Sequence, residues 1–197
     1  MEFRRATRED IPAILDVQAA NFIGNLEEVE RQDGFLSVKF TSKQLEEMMG
    51  HVGIIIAAVG DRQAGYLCAS SCEFNRPFPL LDAMMRQFDG IDYRGRSLAS
   101  SRAFIYGPVC IDRSYRGRGL LRGLYDTLQQ EVVGRYDIGV AFVADDNPHS
   151  LRAHVDGLGM ARVGGFVFSG KPYHILAFHV RSENGNGAAS KPVSEKT

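Results

Sequence analysis

The chain has 197 residues, 44% hydrophobic and 24% charged, an average globular composition that supplies apolar material for one sizeable core. Lys and Arg number 23 against 24 Asp and Glu, so no net field draws the protein to nucleic acid or to an anionic membrane, and neither is expected as a partner. No apolar run approaches the ~20 residues that cross a bilayer, and residues 1–8 are charged where a signal peptide would be apolar, so a soluble, cytoplasmic protein is expected.

In chain order, residues 2–6 read as a first strand. Thr7 with Asp10 forms a loose capping box ahead of Ile11, Ile14, Leu15 and Gln18 at helical spacing, predicting a helix to about Phe22. Residues 24–40 have no clean period and suit a short helix or a loop. Thr41 and Gln44 make a second capping box, for a short helix ending near Gly50. Two strands follow at residues 53–59 and 64–72, joined by a turn at residues 60–63. Residues 73–103 interrupt the pattern; within them Leu81, Met84, Met85 and Phe88 predict a helix with one apolar face, a stripe read as core packing.

The next strand covers residues 103–112. A glycine-bearing polar turn then opens into a long amphipathic helix marked by Leu120, Leu121, Leu124, Leu128 and Val132. A strand at residues 137–144 precedes Asn147-Pro148, a cap residue and a proline at the first helical position. Closing strands are expected at residues 162–169 and 173–180. From 181 to 197 the Gly, Asn, Ser, Lys and Glu composition reads as a disordered tail, leaving one domain over residues 1–180. The expected fold class is α/β around a mixed sheet. Cys68, Cys72 and Cys110 are odd in number and lack Cys-x-x-Cys spacing, so free thiols are expected in place of a disulfide framework or zinc site. His51, His149, His174 and His179 lack metal-ligand spacing, and Asp145-Asp146 near His149 reads as a solvated loop; no metal is expected.

Residues 107–125, GPVCIDRSYRGRGLLRGLY, carry the chemistry. A strand runs through a turn of glycine and arginine directly into a helix, whose first N–H groups lack intrahelical partners and whose dipole favours an anion. Gly117 and Gly119 allow a bulky anion to reach the main chain, and Arg116 and Arg118 add donors suited to phosphate. A pyrophosphate site is the physical expectation. No Gly-x-x-x-x-Gly-Lys-Ser/Thr is present, which disfavours a nucleotide hydrolase. Gly117, Gly119 and Gly123 are spaced one residue too wide for the dinucleotide fingerprint.

Tyr115, Arg116, Gly117, Arg118, Gly119 and Leu120 resemble the Arg/Gln-x-x-Gly-x-Gly/Ala motif that the GNAT acetyltransferase superfamily carries after its fourth strand. Leu121 departs from it, standing where the family usually has glycine or alanine. Downstream, Asn147, Ser150, His154 and Leu158-Gly159-Met160 resemble a second family motif, with one extra residue before the glycine. The resemblance spans roughly residues 2–180, with residues 73–103 as a helical insertion between the third and fourth strands of a mostly antiparallel sheet flanked by helices. It implies acetyl-CoA as cosubstrate, its pyrophosphate on the amides of residues 116–121, which include Arg116, Gly117, Arg118, Gly119, Leu120 and Leu121. It also implies that Val109, Cys110 and Ile111 pair with the pantetheine arm as an added strand.

The activity implied is acetyl transfer to a primary amine of a small molecule or peptide by direct attack, with the acceptor bounded by residues 20–40 and 73–103. The acidic run Glu27 to Asp33 suits a cationic amine and equally a solvated surface. The position of His154 is commonly a tyrosine proposed to protonate the CoA sulfur; His154 can do this, hydrogen-bond the sulfur, or pack on the pantetheine. Asn147 is a helix cap and a candidate cofactor contact. The fourth strand has no glutamate, its candidates for a base being Tyr106 and Cys110 on one face; Glu73 is the one carboxylate near a plausible mouth and a candidate base, against a solvated strand-end reading, and Asp112 reads as structural. Cys110 would carry an acyl group only with a histidine base beside it, and reads as a buried thiol. Homodimers are common in the family, the sole ground for expecting one here. Two rivals remain: a non-catalytic acyl-CoA-binding module and, more weakly, a nucleotide-binding protein.

Overall fold

The computed structural model describes residues 1–31, 35–36 and 38–181. Seven strands form one sheet: β1 (Glu2–Arg5), β2 (Gly53–Val59), β3 (Arg62–Ser71), β6 (Ala103–Ile111), β7 (Ile138–Ala144), β8 (Ala161–Phe168) and β9 (Lys171–His179). Two-residue strands β4 (Asp92–Tyr93) and β5 (Arg96–Ser97) make a separate ribbon. The sheet order is β1-β2-β3-β6-β7-β9-β8, and every neighbouring pair is antiparallel except β6 with β7. This is the mostly antiparallel mixed sheet expected.

Local chemistry sets the element ends. The Thr7 N–H donates to Asp10 Oδ2 at 2.7 Å, and α1 (Ile11–Asn21) follows with proline in its first turn. The Thr41 N–H donates to Gln44 Oε1 at 2.9 Å while the Gln44 N–H donates back to Thr41 Oγ1 at 3.3 Å, starting α3 (Ser42–Gly50). Between them lies a short helix, α2 (Glu28–Arg31). The long helix α6 (Leu120–Val132) buries Leu120, Leu124, Leu128 and Val132, one residue per turn.

Alternation along the strands divides the core into two faces. On one, Ile55, Leu67, Phe104, Ala141 and Phe178 pack against α6. On the other, Ile54, Ile56, Tyr66 and Cys68 of the N-terminal half of the sheet pack against α1 and α3. The C-terminal half of that second face is covered by the insertion, which holds α4 (Cys72–Asn75), α5 (Pro79–Met85), the β4–β5 ribbon and short 3₁₀ turns. Leu81, Met84, Phe88 and Ile91 sit there on Ile105, Val140, Ile175 and Ala177. The Leu and Met stripe is therefore core, and the insertion completes the layer that α1 and α3 begin. The predicted helix is shorter than its apolar period: α5 ends at Met85, and Phe88 falls in a 3₁₀ turn. The tail expected from residue 181 lies, beyond Arg181, outside the described residues.

Close strand pairing leaves Gly65 no room for a side chain. A Cβ there would lie 2.7 Å from the Cys110 carbonyl oxygen, which β3–β6 pairing holds in place. Gly65→Ala is expected to lower stability by about 1–3 kcal/mol, read as a drop of roughly 2–4 °C in melting temperature per kcal/mol by circular dichroism.

Candidate active site

The site begins where two strands part. Strand β6 pairs with β7 only through Ala103↔Ile138, Phe104↔Gly139 and Ile105↔Val140. Beyond that, β7 continues along β9 while β6 stays with β3 to Ile111. A bulge sits at the parting: Leu67 opposes Val109 and Ala69 opposes Tyr106, so Gly107 and Pro108 together face the single residue between them. Gly107 has φ +108, a conformation suited to glycine, and Pro108 has no N–H to give a ladder. The result is a wedge whose β6 wall, Val109 to Ile111, has a backbone edge unpaired with β7.

That edge lines a cavity of about 360 Å³ together with Arg116, Gly117, Gly119, Leu120 and Leu121. Gly117 and Gly119 have φ +72 and +83, and a Cβ on either would meet nothing within 4 Å. Gly119 is the N-cap of the 13-residue α6. Left-handed glycines, open space over their α-carbons and a helix N-terminus form a cradle that a side chain would fill and that a pyrophosphate suits. Gly123 instead permits close packing of α6 on β1, since a Cβ there would lie 2.1 Å from the Phe3 ring.

Arg116 lines this cavity, but its guanidinium is turned into the loop's foundation. Nε donates to the Ile111 carbonyl at 3.1 Å and Nη2 to Asn21 Oδ1 at 2.7 Å. Its side chain ties the loop to β6 and to the end of α1. Arg118 is exposed, its guanidinium 5.5 Å from the Tyr115 ring centroid, and does not line the cavity. Asp112 accepts from the Ser114 N–H at 2.9 Å, the structural role expected. Of the acidic run, Glu27 and Glu28 are exposed, whereas Glu30 is paired with Arg113 at 2.6 Å. The Glu27 N–H and this guanidinium hold the Glu30 carboxyl below the usual carboxylate range. Asp33 lies outside the described residues.

A second cavity, about 120 Å³, continues from the first through shared Phe35, Leu36, Val109, Ser150 and His154. His154 stands where they meet, 5% exposed. Asn147 caps α7 (Pro148–Arg152) by accepting from the Ser150 N–H at 3.2 Å, and donates to the Phe35 carbonyl at 3.3 Å. The helix then widens into a π turn at Ala153–Gly157. A π turn absorbs one inserted residue, which accounts for the extra residue before Gly159. His154 Nδ1 is 2.7 Å from the Ser150 carbonyl oxygen, which can only accept; Nδ1 therefore carries the proton and Nε2 a lone pair. Nε2 has no hydrogen-bond partner among the described residues. Burial pushes the imidazole below the ordinary histidine range, the Ser150 contact opposing it, so the ring is held neutral.

Glu73 is placed elsewhere. It is exposed in the first turn of α4 and lines neither cavity. Residues not singled out in the sequence also line the site: Asn21, Phe35, Leu36 and Asn75. Tyr106 packs its ring edge-on against His154 at 5.5 Å, and its buried hydroxyl has no hydrogen-bond partner among the described residues. Gly107-Pro108, inside an otherwise apolar strand, was the one sequence signal for this parting.

All three cysteines are free. Burial pushes the Cys110 thiol up to about 12 and Cys68 higher still, so neither is a nucleophile at neutral pH. A chromogenic disulfide reagent is expected to modify only half-buried Cys72 in the native protein, and slowly, with Cys68 and Cys110 reacting after denaturation. Among the described residues, no group of three or more His, Cys, Asp or Glu could hold a metal ion, and no helix is long and apolar enough to cross a membrane.

No family model matches the chain, and no curated protein matches it. Solved structures do. An acetyltransferase assigned to the GNAT family from Desulfovibrio desulfuricans aligns at TM-score 0.59 and 15% identity, over 91% of this chain and 99% of that one. The ribosomal-protein-S18-alanine N-acetyltransferase of Escherichia coli aligns at 0.59 and 12% identity, over 95% and 98%. A Salmonella typhimurium protein described as an acetyltransferase and solved with its cofactor acetyl-CoA aligns at 0.57 and 15% identity, over 96% and 98%. These likenesses show the fold: this chain has the fold of the GNAT N-acetyltransferases.

Proposed function

We propose that the protein transfers an acetyl group from acetyl-CoA to a primary amine. The observation that carries this reading is the wedge between β6 and β7, which joins a glycine-lined anion cradle at one end to a histidine with a free lone pair at the other. The amides at the start of α6, opened by Gly117 and Gly119, would hold the pyrophosphate, with Arg116 keeping their loop in place. The unpaired edge of Val109 to Ile111 would take the pantetheine amides as a strand takes its neighbour.

Acetyl-CoA supplies an acyl carbon activated as a thioester. His154 Nε2 accepts the proton that the amine nitrogen loses as its N–C bond forms and the C–S bond breaks. The resulting imidazolium holds a proton for the departing sulfur, so the ring ends the cycle neutral and no net proton is left over. In this reading His154 is base first and acid second, and Glu73 is not required. The Ser150 carbonyl keeps the ring in the needed tautomer.

Isothermal titration with acetyl-CoA, followed by a free-thiol assay with amines, tests the proposal. Micromolar binding with amine-dependent thiol release supports it. Binding without release for any amine would point to an acyl-CoA-binding module, and absence of binding by the folded protein would overturn both.

A further inference from the structure

The cavity beyond His154 is lined mostly by apolar side chains, with the polar Asn75, Tyr106, Asn147, Ser150 and His154 among them. Phe40, Leu81, Ile105, Pro108 and Phe142 line it, with Val38 at a half-exposed position. It lies on the second face of the sheet, between the segment leading to α3 and the insertion, the region expected to bound the acceptor. No Asp, Glu, Lys or Arg lines it among the described residues. Two polar groups there lack a partner among the described residues, the Tyr106 hydroxyl and the Asn75 carbonyl oxygen. Asn75, 1% exposed, donates through Nδ2 to Ser70 Oγ and to the Ser71 carbonyl, both at 2.7 Å. The Ser71 carbonyl can only accept, which fixes the amide orientation and leaves Oδ1 without a hydrogen-bond partner among the described residues.

The geometry points to an acceptor that is a primary amine on an uncharged, apolar body, an arylalkylamine or alkylamine, seated between Phe40, Leu81 and Phe142 with an N–H within the reach of Asn75 Oδ1. This rests on the acetyl-transfer reading and adds the acceptor class to it. Two physical arguments carry it. An apolar wall disfavours every ionised group, so a polyamine or amino acid would have to bury a second charge with nothing opposite it. The same wall favours the neutral form of the one amine present, which is the form that attacks. A longer acyl chain on CoA would also fill an apolar space, but it brings no donor and would leave Asn75 Oδ1 covered and unpaired.

The test is a free-thiol assay with acetyl-CoA and phenethylamine, hexylamine, spermidine or lysine. The expected result is a kcat/KM for phenethylamine or hexylamine at least about tenfold above those for spermidine and lysine. Leu81→Lys and Val38→Lys place a cation in the wall and are each expected to cut kcat/KM for phenethylamine about tenfold. The Kd for acetyl-CoA should stay unchanged, since neither residue lines the first cavity; the half-exposed Val38 serves should the Leu81 variant not fold. A wild-type protein that binds acetyl-CoA but prefers spermidine or lysine, or turns over no amine, overturns the inference. So does a preference for hexanoyl-CoA over acetyl-CoA that the lysine variants abolish, which would assign the cavity to the acyl chain. Failure to bind acetyl-CoA at all is the separate result that removes the underlying reading.

Discussion

Gly119→Asp is expected to weaken acetyl-CoA binding by roughly 100-fold, about 2.7 kcal/mol, in isothermal titration. Gly119 sits at φ +83 at the head of α6, with nothing of the protein within 4 Å of where its Cβ would be. The new carboxylate would project into the space assigned to the pyrophosphate, placing two like charges together where the helix N-terminus can satisfy only one. The left-handed backbone costs a non-glycine residue about 1–2 kcal/mol, a loss visible in thermal melting but not enough to unfold a typical domain. Gly119→Asn separates the causes, because asparagine tolerates this conformation and carries no charge. An Asp variant that binds as tightly as wild type would remove the loop from the cofactor site.

His154→Gln should lower kcat by about 100-fold or more while changing the Kd for acetyl-CoA little, since a general base contributes roughly 10²–10⁴ in rate. The pH dependence gives the sharper reading. Burial depresses the His154 pKa, so the base form is complete at neutral pH and is lost only as pH falls through a value below the ordinary histidine range. The acid limb of kcat/KM is therefore expected below pH ~6.5, and the glutamine variant should lack it. A histidine that merely packs against the pantetheine would give the opposite pattern: weaker binding, with kcat and its pH profile intact.

Some of this was written locally in the chain. The capping boxes at Thr7–Asp10 and Thr41–Gln44, and the Asn147-Pro148 helix start, depend on atoms within three residues of each other and appear as read. The short apolar runs of β2 and β7 placed those strands, because such a run between turn residues reads as a strand buried on both faces. The glycines of the loop were legible for the same reason: a positive φ beside a helix start is a property of the segment itself.

What escaped the sequence depends on residues far apart in it. That Arg116 donates through Nη2 to Asn21, 95 positions away, is visible only in the fold. Within its apolar strand only Gly107-Pro108 hints at where β6 leaves its neighbour, and the bulge there forms only once β3 is alongside. Glu73 was the nearest carboxylate along the chain to an imagined mouth, whereas the wedge opens toward His154, whose tautomer is set by the Ser150 carbonyl and whose ring is buried only by the fold. The walls of the second cavity come from β6, β7, the insertion and the segment before α3. The sequence by itself determined most elements, their caps and the glycine loop ahead of α6, because hydrogen bonds between near neighbours do not wait for the fold. The parting of β6 from β7, the burial that keeps His154 neutral and the walls of the second cavity were decided by tertiary structure, because burial and pairing belong to segments that meet only when the sheet closes.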